Sequence, residues 1–136
     1  MQDCIFCKVI SGELPSFKVY EDDHVLAFMD IFPTSVGHTL VIPKEHATNL
    51  YDASEESMTE AFRVAHRIGP RVADAMEADG FHLSMNNGEA AWQTVFHPHL
   101  HIIPRYEGDG HEPWEKLGRE HGEIEKDAEK IKKALG

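Results

Sequence analysis

Three histidines alternate with apolar residues along one short segment, and this alternation constrains the fold of the chain more than any other feature of its sequence. The segment reads His97-Pro98-His99-Leu100-His101-Ile102-Ile103. Because side chains two residues apart share one face of a β-strand, a strand over residues 95–103 would place the three imidazoles on one face and the intervening residues against the core. The alternative is a solvated sheet face that carries histidine by chance. Three regularly spaced copies of a scarce residue disfavour it.

The spacing of these imidazoles favours a division of roles over a single metal site. At ~3.3 Å per residue, the first and third rings of a strand start about 13 Å apart, whereas zinc–nitrogen bonds are only ~2 Å long. One ion could therefore bind two neighbouring rings but not all three. Neutral imidazole suits nucleophilic attack on phosphorus, and a neighbouring ring can carry a proton to the leaving group. The segment thus indicates phosphorus chemistry.

Hydrophobic periodicity predicts an α+β fold on an antiparallel, roughly five-stranded sheet. Ser54 is a predicted helix cap, and the helical spacing after it continues toward Asp79-Gly80, so we predict one long helix that Gly69-Pro70 kinks or splits. A C-terminal amphipathic helix is predicted over residues 124–135. Strands in runs with one inserted helix favour an antiparallel sheet over strand–helix alternation. The predicted strands span residues 18–20, 24–28, 39–42, 81–85 and 95–103.

The overall charge and hydropathy exclude several classes of partner. The 136 residues contain 24 acidic and 13 basic side chains, for a formal net charge of −11. Nucleic-acid binding draws on cationic contacts to phosphates, so we predict no nucleic-acid partner, although a small phosphorylated ligand needs only a local set of donors. No window approaches the ~20 apolar residues of a membrane helix, and the N-terminus lacks the features of a signal peptide. We therefore expect a cytoplasmic protein of one domain with no membrane partner.

Cys4 and Cys7, the only two cysteines of the sequence, leave three interpretations open. In a cytoplasmic protein, two cysteines at this spacing indicate half of a metal site or a redox pair rather than a structural disulfide. A redox pair would normally lie where a strand meets a helix in a βαβ unit, which the predicted elements lack. Two buried thiols packed as small apolar groups are the third interpretation. The metal site would need two further donors.

Three segments together resemble the histidine triad (HIT) family of nucleotide hydrolases and transferases, and most closely its Hint-like branch with an N-terminal Cys-x-x-Cys. The alternating histidines match the core pattern of the family, and the preceding Gln93-Thr94-Val95-Phe96 resembles its Gly-Gln-x-Val stretch. Residues 26–31 and 37–46 also agree. The resemblance implies a HIT-like fold, with a HIT domain over residues 1–108 and a C-terminal tail over residues 109–136 that belongs to the same domain.

The resemblance also implies a reaction and the residues that carry it. The chain would act at the α-phosphate of a purine nucleoside phosphoramidate or dinucleoside polyphosphate, without a catalytic cofactor, and His99 would form a covalent nucleotidyl-imidazole. His101 would contact the phosphate and assist the leaving group, and His38 would support the triad from the next strand. Asp30 would bind the ribose hydroxyls, although a loop carboxylate can equally cap a turn. Contacts to phosphate would come from Asn86, Gln93, Thr94 and the backbone near Val95.

Some Hint-like relatives hold structural zinc, and the resemblance implies the same for this chain. His46 and His97 would complete a closed tetrahedral site with the two cysteines. The branch forms homodimers, so we also expect a homodimer. Two residues depart from the family pattern. Trp92 stands where glycine is usual, and Pro98 stands inside the triad, where it removes a hydrogen-bond donor and can bend the strand.

A zinc-stabilised nucleotide-binding or interaction module is the competing functional hypothesis. Such a protein would bind a nucleotide, and any turnover would be incidental to its role. The two hypotheses differ in whether the loss of the His99 imidazole removes the biological effect.

Overall fold

Five antiparallel strands form one sheet in the computed structural model of the protein, which describes residues 3–136. The elements in chain order are α1 (Ile5–Ser11), β1 (Lys18–Glu21), β2 (Val25–Met29), β3 (Thr39–Pro43), α2 (Glu55–Ala75), β4 (Gly80–Met85), a 3₁₀ turn (Glu89–Ala91), β5 (Leu100–Arg105) and α3 (His121–Leu135). The strand order is β1-β2-β3-β5-β4, which confirms the predicted α+β fold on an antiparallel sheet. The first two residues of the domain predicted at 1–108 lie outside the described residues.

The long helix α2 covers one face of the sheet through a stripe of small residues. Ala61, Val64 and Ala65 are buried against apolar side chains of β2, β3 and β5. Gly69 continues this stripe, because a Cβ at that position would lie only 2.9 Å from the ring of Phe81 on β4. Small side chains therefore allow the helix to approach the sheet closely.

The helix α2 runs unbroken across Pro70, so the predicted splitting at Gly69-Pro70 does not occur. Pro70 has no N–H to donate to the carbonyl oxygen of His66, one turn earlier. Both residues are exposed, so water can bind the carbonyl oxygen that is left free. The buried stripe on the other side of the helix is not affected.

The opposite face of the sheet is partly covered by the short helix α1, which is absent from the sequence-based prediction. Phe6 and Val9 pack there with apolar residues of β2 and β3. Sγ of Cys4 accepts a hydrogen bond from the N–H of Cys7 at the start of the helix, and Gly12 ends it with a φ of +85°. Because β2 lies between two covered faces, it is apolar along its whole length rather than alternating.

The histidine segment is only partly a strand, which corrects the prediction of a strand over residues 95–103. β5 begins at Leu100, so His97, Pro98 and His99 precede it. Pro98 has no N–H to donate to a ladder, and the carbonyl oxygen of His97 accepts a hydrogen bond from the ring of His99. The prediction that Leu100 and Ile102 face the core is confirmed, since both are buried in the cluster beneath α2.

The C-terminal helix α3 is present as predicted. A reciprocal pair of side-chain-to-backbone hydrogen bonds between Glu120 and Glu123 caps its first turn, and none of its residues is buried. Within residues 3–136, no helix combines the length and the apolar character that crossing a membrane requires.

Candidate active site

Predicted site residues from distant parts of the sequence lie directly outside the ends of neighbouring strands. Asp30 follows β2 and His38 precedes β3. His99 precedes β5, and Asn86 follows β4. Because neighbouring strands are antiparallel, Asp30 and His38 lie at one end of the sheet, whereas His99 and Asn86 lie at the other. His101, which pairs with Leu40 and Ser84 within β5, lies between these two groups.

A backbone hydrogen bond and burial keep the ring of His99 neutral, with its proton on Nδ1. Its Nδ1 lies 2.7 Å from the carbonyl oxygen of His97, and a carbonyl oxygen can only accept, so Nδ1 carries the proton. Burial lowers the pKa of His99, against the opposing effects of this hydrogen bond and of the Asp30 charge. The ring is therefore neutral near pH 7, and its Nε2 carries a lone pair. Phe6 packs edge-on against the ring, with the ring centroids 5.1 Å apart.

His38 and His101 form a directed chain of hydrogen bonds beside His99. The N–H of Thr34 donates to Nδ1 of His38 over 3.0 Å, so the ring proton of neutral His38 is on Nε2. That atom lies 2.9 Å from Nδ1 of His101, which therefore accepts. The ring proton of His101 is then on Nε2, an atom that is buried and has no hydrogen-bond partner in the described part of the chain.

The lowered pKa values of His38 and His101 keep both of these hydrogen-bonded rings neutral near pH 7. Burial lowers the pKa of His38. Burial, together with repulsion from His99 and His38, lowers the pKa of His101 to about 4. The rings of His99 and His101 lie with their centroids 4.9 Å apart. A lone pair on His99 and an unpartnered N–H on His101 are thus neighbours, an arrangement that suits nucleophilic displacement with a hydrogen-bond donor beside the reacting phosphate.

Asp30 caps the loop after β2 and also lies beside His38. Its Oδ1 accepts a hydrogen bond from the N–H of Phe32 over 2.8 Å, which caps the loop after β2. Its Oδ2 lies 3.6 Å from Nε2 of His38. The carboxylate therefore contributes negative charge beside the histidines while it also holds the loop.

Gln93 is buried within the loop before β5, and its side chain is fully engaged with the protein. Oε1 accepts from the side-chain amide of Asn49 and from the N–H of Gly88, over 3.0 and 2.8 Å. Nε2 donates to the carbonyl oxygens of Thr48 and Val95, over 2.7 and 3.0 Å. Its amide therefore joins the loop after β3 to the loop before β5. The partner residue Asn49 was missed from the sequence, because nothing local marks a contact that spans 44 residues.

A cavity of about 700 Å³ opens beside His38 and His101, and His99 is not among its lining residues. This volume is in the range of small-molecule sites in proteins. His38, His101 and Asn86 line it, together with Trp92 and Trp114. Thr94 and Val95 lie elsewhere, on a smaller cavity of about 310 Å³ that Cys4 and His46 also border.

A second group of side chains brings together the four predicted metal donors, Cys4, Cys7, His46 and His97. Their ligand atoms all lie within 4.8 Å of one another. Nδ1 of His97 is 3.4 Å from Sγ of Cys4 and 3.3 Å from Nδ1 of His46. Zinc–nitrogen bonds of ~2.0–2.1 Å and zinc–sulfur bonds of ~2.3 Å require separations of this size in a tetrahedron.

The orientation of the His97 ring also fits a metal ligand. Its Nε2 lies 2.8 Å from the carbonyl oxygen of Pro43 and therefore carries the ring proton. The lone pair of Nδ1 is then directed toward the thiols. A metal-binding histidine commonly donates its second ring nitrogen to a carbonyl in this way. The donor set and the geometry both fit structural zinc.

Comparison with known sequences identifies relatives along most of the chain. A family model described as "HIT domain" matches residues 11–108. "Protein hit" of Bacillus subtilis is 52% identical over 110 residues, which cover 80% of this chain and 76% of the relative. "Adenosine 5'-monophosphoramidase HNT1" of Saccharomyces cerevisiae is 42% identical over 130 residues, which cover 89% and 80%. "Adenylylsulfatase HINT3" of Arabidopsis thaliana is 40% identical over 129 residues, which cover 95% and 66%.

Solved structures of similar proteins have the same fold. SMU.412c from Streptococcus mutans superposes with a TM-score of 0.93 at 40% identity, and the match covers 100% of this chain and 87% of the other. A "ZN-bound histidine triad family protein" from Mycobacterium smegmatis superposes with a TM-score of 0.78 at 37% identity, with 98% of each chain covered.

Proposed function

This chain belongs to the HIT family, in which it resembles Hint-like members, and on that premise we propose that it hydrolyses or transfers nucleotides through a covalent intermediate on His99. Its substrate is a purine nucleoside whose α-phosphate carries an amine or a second phosphorylated group. A relative named as an adenosine 5'-monophosphoramidase supports an amine on that phosphate, and one named as an adenylylsulfatase supports only the adenylyl part. The observation that carries the proposal is the lone pair of His99 Nε2, set by the His97 carbonyl, beside the unpartnered N–H of His101.

The first step forms a bond between Nε2 of His99 and phosphorus. The bond between phosphorus and the leaving group breaks, and the leaving group keeps its electron pair. The Nε2–H of His101 donates a hydrogen bond to that atom, which takes its proton from solvent, so the group departs as a neutral amine or a protonated phosphate and His101 stays neutral. The product is a nucleotidyl-imidazole with its charge delocalised over the ring.

The second step returns the enzyme to its starting state. Water attacks phosphorus and releases its proton to solvent, the bond to His99 breaks, and the electron pair of that bond returns to Nε2 of His99. A nucleoside monophosphate is released. The Thr34 N–H occupies Nδ1 of His38, so the proton of His38 stays on Nε2. That N–H donates to Nδ1 of His101, which remains an acceptor throughout. His101 therefore always carries its N–H on Nε2, where it can donate a hydrogen bond.

The remaining predicted residues bind and order the substrate in this proposal. Oδ2 of Asp30 accepts hydrogen bonds from the ribose hydroxyls, while its Oδ1 remains on the Phe32 N–H. Asn86, on the cavity that His101 lines, contacts the phosphate, and no phosphate contact is assigned to Thr94 and Val95, which lie on the separate smaller cavity. Gln93 holds the phosphate-binding loop in place, since its amide is already saturated within the protein.

The proposal includes structural zinc on Cys4, Cys7, His46 and His97, a homodimer and a cytoplasmic location. These four donors would hold the metal in a closed site with no position for substrate. The bound metal would fix α1 against the segment before β5, where Phe6 packs on the ring of His99. The zinc-bound mycobacterial relative supports this part of the proposal.

A brief reaction followed by an acid quench and intact-protein mass measurement tests the function. Wild type incubated with an adenosine phosphoramidate should gain the mass of one adenylyl group. His99→Ala should gain none and should have no turnover, whereas His24→Ala, an exposed histidine on the turn before β2, should behave as wild type. Turnover in His99→Ala would contradict the proposal. A biological effect that survives in an inactive His99→Ala protein would favour the binding-module alternative.

A further inference from the structure

The C-terminal helix α3 is not covered by the rest of its own chain. Its 15 residues include no buried side chain, and Ile124, Ile131 and Leu135 are 48%, 58% and 83% exposed. An isolated helix of about this length is only marginally stable in water, and most helices in proteins are stabilised by the packing of an apolar face. A contact with another molecule is therefore needed to cover the apolar side of α3.

The apolar residues of α3 have the spacing of a two-stranded coiled coil. Ile124, Ala128, Ile131 and Leu135 are separated by four, three and four residues, which is the spacing of the a and d positions of a heptad. These side chains form one narrow stripe, and charged residues occupy the other side of the helix. A stripe limited to a and d positions fits a single partner helix rather than a broad surface.

The charges along α3 change sign between its two halves. The first half has a net negative charge and the second half a net positive one, with Glu123, Glu125 and Asp127 followed by Lys130, Lys132 and Lys133. Two copies of the helix laid antiparallel therefore place each acidic half against a basic half. Their helix dipoles also run in opposite directions in this arrangement. A second copy of this chain thus has the complementary charge.

Glu125 and Lys132 determine the register of an antiparallel pair. Both occupy position e of the heptad, and e positions of the two helices face one another when the helices are antiparallel. With Ile124 opposite the partner's Leu135, Glu125 of each helix meets the partner's Lys132. Glu125 has no ion-pair partner among the described residues 3–136, and Lys132 has only an exposed pair with Glu129 at 3.2 Å. Exposed pairs of that kind contribute little, so Lys132 can exchange its partner.

The same residues disfavour a parallel pair. Positions e and g of the two helices face one another in a parallel coiled coil. Glu125 would then meet the partner's Glu120, which places like charges together. Lys132 would meet the partner's Asp127, whose carboxylate is already bound by Nε and Nη2 of Arg119 over 2.8 and 2.7 Å.

We propose that α3 pairs antiparallel with α3 of a second copy of this chain, through reciprocal ion pairs between Glu125 and the partner's Lys132. This contact is separate from the reaction proposed above, and it names a surface of the expected homodimer. Two helices of this length bury too little surface to hold two proteins together alone. The pair therefore acts together with a contact between the folded bodies, which raises the effective concentration of the helices.

Reversal of the charges at the two e positions tests the pairing and its direction. Glu125→Lys places two cations opposite one another on both sides of the pair, and Lys132→Glu places two anions there. Each should raise the dissociation constant of the dimer about tenfold at low salt, measured by energy transfer between labelled copies on serial dilution. E125K/K132E restores both ion pairs and should return to within about twofold of wild type.

The design separates the local pairing from the overall charge. The two single variants change the net charge in opposite directions, so an effect of net charge would weaken one dimer and strengthen the other. Lys126→Glu is the matched control for Lys132→Glu, because Lys126 lies on the side of the helix opposite the stripe, and it should bind as wild type. In 1 M salt the differences between the variants should shrink, since screening weakens exposed ion pairs.

Three outcomes would overturn the proposal. If both single variants keep the wild-type dissociation constant, α3 does not pair, although the homodimer stands. If E125K/K132E is as weak as the single variants, α3 contacts the body of the second copy rather than its α3. If wild type is a monomer at micromolar concentration, the expected homodimer fails as well. Turnover of an adenosine phosphoramidate is measured separately, so a failure of the proposed reaction does not affect this test.

Discussion

The carbonyl oxygen of His97 accepts a hydrogen bond of 2.7 Å from Nδ1 of His99. His97 therefore takes part in two arrangements at once. Its ring lies among Cys4, Cys7 and His46 in the predicted metal group, and its backbone sets which nitrogen of His99 carries the proton. One residue therefore links the predicted metal group at the N-terminus to the nucleophile.

Loss of one predicted zinc donor should remove the metal and destabilise the protein. Cys7→Ala should leave less than a tenth of the one zinc ion per chain expected for wild type, measured by atomic emission. The free energy of unfolding should fall by several kcal/mol, since structural zinc contributes on the order of 10 kcal/mol in small domains. A chelator should lower the melting temperature of wild type but not of Cys7→Ala. Stoichiometric zinc in the variant would refute this assignment, and so would a wild-type melting temperature that the chelator does not change.

Replacement of His38 should slow turnover without preventing the covalent step. His38→Ala removes the N–H that Nδ1 of His101 accepts, so His101 can place its proton on the wrong nitrogen. We expect kcat to fall by about 10²-fold, the effect of losing one preorganised hydrogen-bond donor, while the adenylyl adduct on His99 still forms. His66→Ala, on the exposed face of α2, is the matched control. An unchanged kcat in His38→Ala would show that the chain of rings has no catalytic role.

The free energy of unfolding should rise as the pH increases from about 4 to about 6.5. Burial lowers the pKa of His101 to about 4 in the folded protein, whereas an imidazole in the unfolded chain titrates near ~6.5. Between these values the unfolded state binds more protons, so the stability is fully present above pH 6.5 and is lost as the pH falls toward 4. Urea unfolding at several pH values measures the slope. His101→Gln should flatten it, and a variant with the wild-type slope would contradict the prediction.

Two glycine-to-alanine changes in helices should have opposite effects on stability. Gly69→Ala places a Cβ 2.9 Å from the Phe81 ring, and overpacking of this kind costs about 1–3 kcal/mol. Gly122→Ala in α3 meets no atom within 4 Å and should gain up to ~1 kcal/mol from helix propensity. Chemical denaturation of both variants compares the two. If Gly69→Ala is as stable as wild type, the close approach of α2 and β4 does not contribute to the stability of the fold.

Local patterns in the chain were sufficient to predict most of the sheet. Alternation and apolar runs placed the strands within a few residues, and Ser54 marked the start of α2. Three departures have physical causes. Pro98 cannot donate to a ladder, so β5 begins at Leu100. Water can solvate the carbonyl freed by Pro70, so α2 is not split. The helix α1 is only seven residues long, too short for a clear periodicity.

The sequence by itself determined the fold class and the family, because both depend on periodicity and on motifs that are contiguous in the chain. The tertiary structure decided which atoms of those motifs meet. Nothing along the chain specifies that Cys4 lies 3.4 Å from His97, 93 residues away, that the amide of Gln93 is used up inside the protein, or that Trp114 packs on Trp92. Such contacts follow from the order of the strands and the path of the tail, and both depend on burial summed over the whole domain rather than on any local pattern.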